Sequence, residues 1–196
     1  EDPLLVSSVT QADAPLTFTH ANALLDITLD RPYDTGESFE IVVTYSGRPQ
    51  ATGLGSFGWN KYSGIGTQDL MVWSLSEPEG ARSWWPCKDH PTDEPDSMRM
   101  SFTVQDPLMC ISNGQYLGSV SNGNGTSTFN WFISTPINNY NVSIYAAEYM
   151  LIEDNYMSTI GDSIPFRFWV LPEDSTTALN YMDVFHTEFD FLESIC

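Results

Sequence analysis

Apolar residues alternate with polar ones in a series of short runs, and this pattern constrains the fold of residues 1–172 more than any other feature. A period of two is typical of β-strands that bury one face. Clear runs occupy residues 25–29, 39–45, 100–104, 129–133 and 166–170. Residues 142–149 carry β-branched and aromatic side chains on both faces, which predicts a more central strand. Turn pairs such as Asn113-Gly114 separate the runs, and we expect the Gly-rich residues 53–66 to form a long surface loop.

The period changes after Pro172. Apolar positions then recur at steps of three and four, which is typical of an amphipathic helix. The expected apolar stripe comprises Leu179, Met182, Phe185, Phe189, Leu192 and Cys196. Asp174, Ser175 and Thr176 are N-cap candidates just before it. The sequence therefore predicts an all-β domain over residues 1–172 and one C-terminal amphipathic helix over residues 173–196. Because the stripe has no Gly or Pro terminator, we expect the natural polypeptide to continue.

The charge balance is strongly acidic, with seven Lys and Arg against 26 Asp and Glu and a formal net charge of −19. Such a chain is repelled by phosphate backbones and anionic lipid surfaces, so we expect neither nucleic acid nor a membrane as a partner. The sequence also has no apolar run near the roughly 18 residues of a membrane helix. The excess of carboxylates is explained either by solubility or by attraction for a cationic substrate. Together with the low Lys content, it favours a secreted or extracytoplasmic protein.

Residues that could carry metal or nucleophilic chemistry are few. The three histidines form no H-E-x-x-H motif, and His186 on the predicted helix lacks a second histidine one turn away. The three cysteines allow at most one disulfide, and a bridge between Cys87 and Cys110 stays open. Lys88 beside Cys87 could lower the pKa of that thiol, although a buried cysteine in a tight turn is the more common case. We therefore expect no metal site and no catalytic residue in this chain.

Residues 72–100 stand out because they combine charge, aromatic rings and rigidity. Glu77 and Glu79 lie close in sequence to Arg82, and the adjacent Trp84 and Trp85 precede a proline-rich stretch. One interpretation is a rigid loop that presents a side chain to a ligand. The other is a structural corner, in which Arg82 pairs with Asp89 and the tryptophans belong to the core.

The same residues resemble a hallmark of the aminopeptidase N family of zinc peptidases, which includes leukotriene A4 hydrolase. The resemblance lies in E-P-x-x-A-R over residues 77–82, the Trp pair, and P-C-x-D-x-P over residues 86–91. Residues 111–114, 134–140 and 164–170 resemble further strand and turn elements of that family, so the likeness covers nearly the whole chain. The sequence departs from the pattern at Leu75, where many members carry Gln.

This resemblance implies a saddle-shaped, multi-sheet β-sandwich domain that packs beside a zinc-bearing catalytic domain of the same polypeptide. Residues 173–196 would then be the linking helix toward that domain, which supplies the zinc ligands. Glu77 matches the family's acidic or amide residue that binds the α-ammonium group of a peptide, so that single residues are removed from the amino terminus. Arg82 and Asp89 would orient the loop.

On this basis the chain would anchor substrate for metal-assisted attack of water that occurs in the catalytic domain, and would be inactive alone. The alternative is a non-catalytic β-sandwich module for adhesion or carbohydrate binding. Trp59, Trp84 or Trp85 would then stack on sugar rings.

Overall fold

The computed structural model describes residues 4–50, 57–61 and 70–195. Within these ranges the protein is mostly β, in several sheets, with one α-helix at the C-terminal end, as predicted from the sequence. The strands are β1 Leu4–Gln11, β2 Ala14–Pro15, β3 Thr17–Ala21, β4 Leu24–Thr28, β5 Val42–Gly47, β6 Phe57–Lys61, β7 Leu70–Ser74, β8 Met98–Gln105, β9 Met109–Ile111, β10 Gln115–Ser121, β11 Thr126–Ile133, β12 Tyr145–Ala147, β13 Met150–Met157 and β14 Ser163–Val170. The helix α1 spans Ser175–Ile195. None of the described helices has both the length and the apolar character needed to cross a membrane.

The chain divides into two compact units. The first unit comprises residues 1–58, 74–94 and 138–142. It contains an antiparallel sheet in the order β2-β1-β5 and the separate β3–β4 hairpin. Val9 on β1 is almost fully buried, in register with Val43 of β5. Short 3₁₀ helices at Ala81–Ser83 and Asn139–Asn141 complete this unit.

The second unit comprises residues 59–73, 95–137 and 143–196. Its sheet β10-β11-β8 is antiparallel, and β11 and β8 pair along eight residues without a break. The predicted alternation is confirmed there: Phe129, Trp131 and Ile133 are buried on one face of β11. The indole N–H of Trp131 donates a hydrogen bond to the carbonyl of Cys110 at 3.1 Å, which satisfies the polar atom of this core ring. A second sheet has the order β6-β7-β12-β9.

The predicted C-terminal helix is also confirmed, although only part of the expected stripe is buried. A 3₁₀ turn at Pro172–Asp174 leads into α1, which packs on the β13–β14 hairpin. Met182 is buried, and the Phe185 ring lies 4.8 Å from that of Phe168. By contrast, Leu179 and Leu192 are exposed. The hairpin is only two strands wide, so it covers one side of α1 and leaves these ends of the predicted stripe uncovered.

Three strand predictions need correction. Residues 39–41 precede β5 without extended pairing, so the strand begins at Val42. The expected strand over residues 142–149 is central, between β7 and β9, but spans only Tyr145–Ala147, because the Asn139–Asn141 3₁₀ helix lies just before it. Residues 57–61 form β6 rather than the predicted loop, while the rest of residues 53–66 lie outside the described residues.

Candidate functional site

The candidate site is the loop between β7 and β8, and a buried carboxylate fixes its shape. The Asp89 side chain is only 5% exposed. It accepts hydrogen bonds from the backbone N–H groups of Gly80, at 2.9 Å, and Ala81, at 3.2 Å. Arg82 Nε lies 3.5 Å from the same carboxylate, so the predicted Arg82–Asp89 ion pair is confirmed. Gly80 has φ of +131°, a conformation that side-chain-bearing residues rarely adopt, and this allows the tight turn into the 3₁₀ helix.

Further contacts tie the loop to the first unit. Ala81 and Ser83 are buried in the 3₁₀ helix, and Ser74 and Ser76 are buried just before it. The Asn139 side-chain amide donates a hydrogen bond to the carbonyl of Lys88 at 2.5 Å. The backbone on both sides of residues 77–79 is therefore held in place.

Glu77, Pro78 and Glu79 are exposed between these buried anchors. Ser76 precedes them and Gly80 follows them, and both are buried. The two glutamates thus stand at the surface on a short segment whose two ends are fixed. Such an arrangement presents a carboxylate to solvent with little backbone freedom, which favours binding of a cationic group.

The two adjacent tryptophans belong mainly to the corner itself. Trp84 and Trp85 are half-buried, with ring centroids 6.2 Å apart, and Trp84 lies 6.0 Å from the ring of Phe57. The indole nitrogens of both are enclosed. Trp59 is 41% exposed. Of the three rings considered for sugar stacking, Trp59 is therefore the most accessible.

Cys87 does not carry a low-pKa thiol. Burial raises its pKa to about 12, and the negative charges of Asp89 and Asp93 add to this effect more than Arg82 offsets it. Of the two alternatives for Cys87, the structure therefore supports the cysteine held in a tight turn and not the thiol activated by a cation, and Lys88 pairs with Asp93 at 3.6 Å. Burial likewise raises the pKa of Cys110 to about 12. Cys87 and Cys110 are both free thiols, and Cys196 lies outside the described residues.

Metal-binding groups are not assembled in the part of the chain that the structure describes: no three His, Cys, Asp or Glu side chains are placed to hold an ion. His186 instead lies 3.2 Å from Asp154 and packs edge-on against Tyr156. His90 Nδ1 lies 2.9 Å from the Thr92 hydroxyl within its own loop. These described residues therefore do not fit a zinc ion.

Sequence reasoning missed the main role of Asp89. It predicted an ion pair, whereas the shorter contacts of this carboxylate are to backbone N–H groups. A glycine directly before the Ala-Arg pair was the available signal, since Gly80 marks a turn whose N–H groups need an acceptor.

Comparison with known proteins places the chain in a family. Residues 5–141 match the family model of the peptidase M1 N-terminal domain. The M1 zinc metallopeptidase from Deinococcus radiodurans superposes with a TM-score of 0.70 at 22% identity, over 84% of this chain and 37% of that chain. Aminopeptidase A from Legionella pneumophila, solved with aspartic acid, gives 0.67 at 18% identity, over 89% of this chain and 20% of that chain. A search of curated proteins returns no match.

The chain therefore belongs to the peptidase M1 N-terminal domain family, which is the aminopeptidase N relationship expected from residues 77–91. It spans about two fifths or less of the length of these solved metallopeptidases. The likeness to them establishes the fold of this domain.

Proposed function

We propose that this chain is the substrate-anchoring domain of a zinc aminopeptidase, and that Glu77 binds the free α-ammonium group of a peptide. The observation that carries the proposal is the exposure of Glu77 on a segment fixed at both ends by buried residues. A carboxylate and an ammonium form a charge-assisted hydrogen bond, which contributes about 1.5–3 kcal/mol. Glu77 would act as a positioning group and not as a base.

Substrate charge supports the same assignment. A peptide amino terminus is cationic at neutral pH, and the domain carries a net charge of −19. Long-range attraction of this kind raises the rate of encounter, while a fixed carboxylate sets the register of the bound end. Holding the terminus at one point would limit cleavage to the first peptide bond.

The partner proposed for this domain is a catalytic domain that follows in the same polypeptide. An exposed apolar face of α1 supports this proposal. It lies away from the helix residues that contact the β13–β14 hairpin and consists of side chains at helical spacing: Tyr181, Val184, Phe191 and Ile195. Apolar faces of this kind favour burial against another protein surface. The zinc expected for the M1 family would be held by that domain, and we propose that the present chain has no peptidase activity alone. We also propose that the protein acts outside the cytoplasm, which fractionation of the native host would test.

The test uses the full-length protein and two glutamates that are two residues apart. Glu77→Ala should lower kcat/KM for an aminoacyl anilide about 10- to 100-fold, the rate equivalent of one charge-assisted bond. Glu79→Ala is the matched control, since Glu79 is exposed on the same segment, and it should remain within about twofold of wild type. Equal activity of Glu77→Ala and wild type would exclude the anchoring role.

Inactivity of the isolated chain has its own test. Purified 196-residue protein should hydrolyse no aminoacyl anilide. Turnover that persists in the presence of a chelator would contradict this part of the proposal.

A further inference from the structure

A cavity of about 470 Å³ lies within the first unit, lined by the β1–β5 pair, the β3–β4 hairpin and residues 82–88. Its walls are aliphatic: Leu4 and Val6 line it from β1, Val43 from β5, and Leu25 and Ile27 from β4. Leu25 and Ile27 are two residues apart, as are Leu4 and Val6, so each pair shares one face of its strand. The volume falls within the roughly 300–1,000 Å³ that is typical of small-molecule sites.

The Cys87 side chain extends this apolar lining. Its pKa of about 12, raised mainly by burial, keeps the thiol protonated at neutral pH. A protonated cysteine behaves as a small apolar group with a weak donor. The interior of the cavity is therefore suited to a hydrocarbon chain.

Two cations stand at the same cavity. Arg82 and Lys88 line it, and its described lining includes no Asp or Glu. The chain has only seven Lys and Arg against 26 acidic residues, so two cations at one cavity are an uncommon concentration of positively charged side chains. Both cations have carboxylate partners, Asp89 at 3.5 Å and Asp93 at 3.6 Å. The cationic side chains are, however, 61% and 78% exposed, and with five and three N–H donors they retain capacity for a further anion.

We propose that this cavity binds a medium-chain fatty carboxylate, with the alkyl chain against the aliphatic walls and the carboxylate at Arg82 and Lys88. A neutral hydrocarbon would leave the remaining N–H donors of the two cations to water, and a cationic amphiphile would meet like charge. A small inorganic anion would leave the aliphatic walls without a partner. Apolar walls and two cations at one cavity therefore favour an amphipathic anion. This site involves neither Glu77 nor a catalytic domain, so it is tested independently of the proposed function.

Calorimetric titration of the 196-residue chain with octanoate, nonanoate and decanoate, below their micellar concentrations, tests the alkyl part. The Kd should fall about fourfold for each added methylene until the cavity is filled. Decanol tests the head group and should bind more weakly than decanoate. Added salt should weaken the binding of decanoate but not that of decanol.

Adjacent residues of β5 provide a matched pair of variants. Val43 lines the cavity, whereas Val42 is 53% exposed and lies on the opposite face of the strand. Val43→Phe should narrow the cavity by adding a ring to its wall and should weaken decanoate binding at least about tenfold, while the Val42→Phe variant should bind decanoate as the wild type does. Lys88→Met should weaken decanoate about threefold, whereas Arg99→Met, a charge change on β8 in the second unit, should have no effect.

The proposal would be overturned by the absence of saturable decanoate binding, by equal effects of Val43→Phe and Val42→Phe, or by unchanged binding to the Lys88→Met variant. Self-association that Val43→Phe abolishes would also overturn it, because a second copy of the chain would then be the occupant. The urea midpoint of Val43→Phe serves as the folding check. If this variant does not fold, the chain-length series and Lys88→Met decide the matter.

Discussion

Replacement of Asp89 by Ala should destabilise the protein substantially. The substitution removes the acceptor of the Gly80 and Ala81 N–H groups, at 2.9 and 3.2 Å, in a side chain that is 5% exposed. Leaving two such donors unpaired costs about 1–3 kcal/mol each. The lost Arg82 contact adds little, because that side chain is 61% exposed and can be hydrated. We therefore expect a loss of about 3 kcal/mol, or about 6–12 °C in Tm for a chain of this size.

Urea unfolding followed by tryptophan fluorescence measures this loss, since Trp84 and Trp85 lie in the same loop. Asp93→Ala is the control, because its partner Lys88 is 3.6 Å away and both side chains are substantially exposed. It should cost less than about 0.5 kcal/mol. If Asp89→Ala and Asp93→Ala lowered stability equally, the two backbone hydrogen bonds would not be what fixes the loop.

Two further predictions concern the second unit. Gly114→Ala should cost at least about 2 kcal/mol, because φ is +84° and the new Cβ would lie 2.3 Å from the Phe132 carbonyl oxygen. Gly123→Ala, with φ of +73° and open space, should cost only about 1 kcal/mol; equal urea midpoints would contradict this reasoning. The Thr159 backbone N–H donates to Glu193 at 2.6 Å and lowers the pKa of that carboxyl below its usual 4.5. The stability it contributes is present above pH 4.5 and is lost as the pH falls through the lower folded-state value. Glu193→Gln should therefore flatten the acid limb of the unfolding free energy, and an unchanged limb would exclude this contribution.

The strands that sequence reasoning identified well are those with one buried face. Phe129, Trp131 and Ile133 alternate with half-buried residues on β11, and this periodicity is visible in the sequence alone. The ends of the strand within residues 142–149 are harder to predict from the sequence. Burial on both faces removes the alternation of apolar and polar residues that marks where a strand begins and ends. In the structure the strand is limited to Tyr145–Ala147, because the Asn139–Asn141 3₁₀ helix lies just before it.

The residues of the candidate site could be predicted from the sequence, but the hydrogen bonds that fix its loop could not. The motif over residues 77–91 drew attention to Glu77, Arg82 and Asp89. The hydrogen bonds that the Gly80 and Ala81 N–H groups donate to Asp89 depend on the positive φ of Gly80, and the spacing of charged residues along the sequence does not indicate such a turn. The aliphatic cavity could not be predicted from the sequence, because the strands that form its walls are distant along the chain and its two cations lie in a separate loop.

Binding of a peptide α-ammonium group by Glu77 is tested most directly by pairing the variant with a substrate that lacks that group. In the full-length protein, kcat/KM is measured for wild type and Glu77→Ala, on a dipeptide and on its desamino analogue. We predict a fall of about 10- to 100-fold for the dipeptide and little change for the already slower analogue. Equal losses on both substrates, or no loss on either, would contradict the assignment.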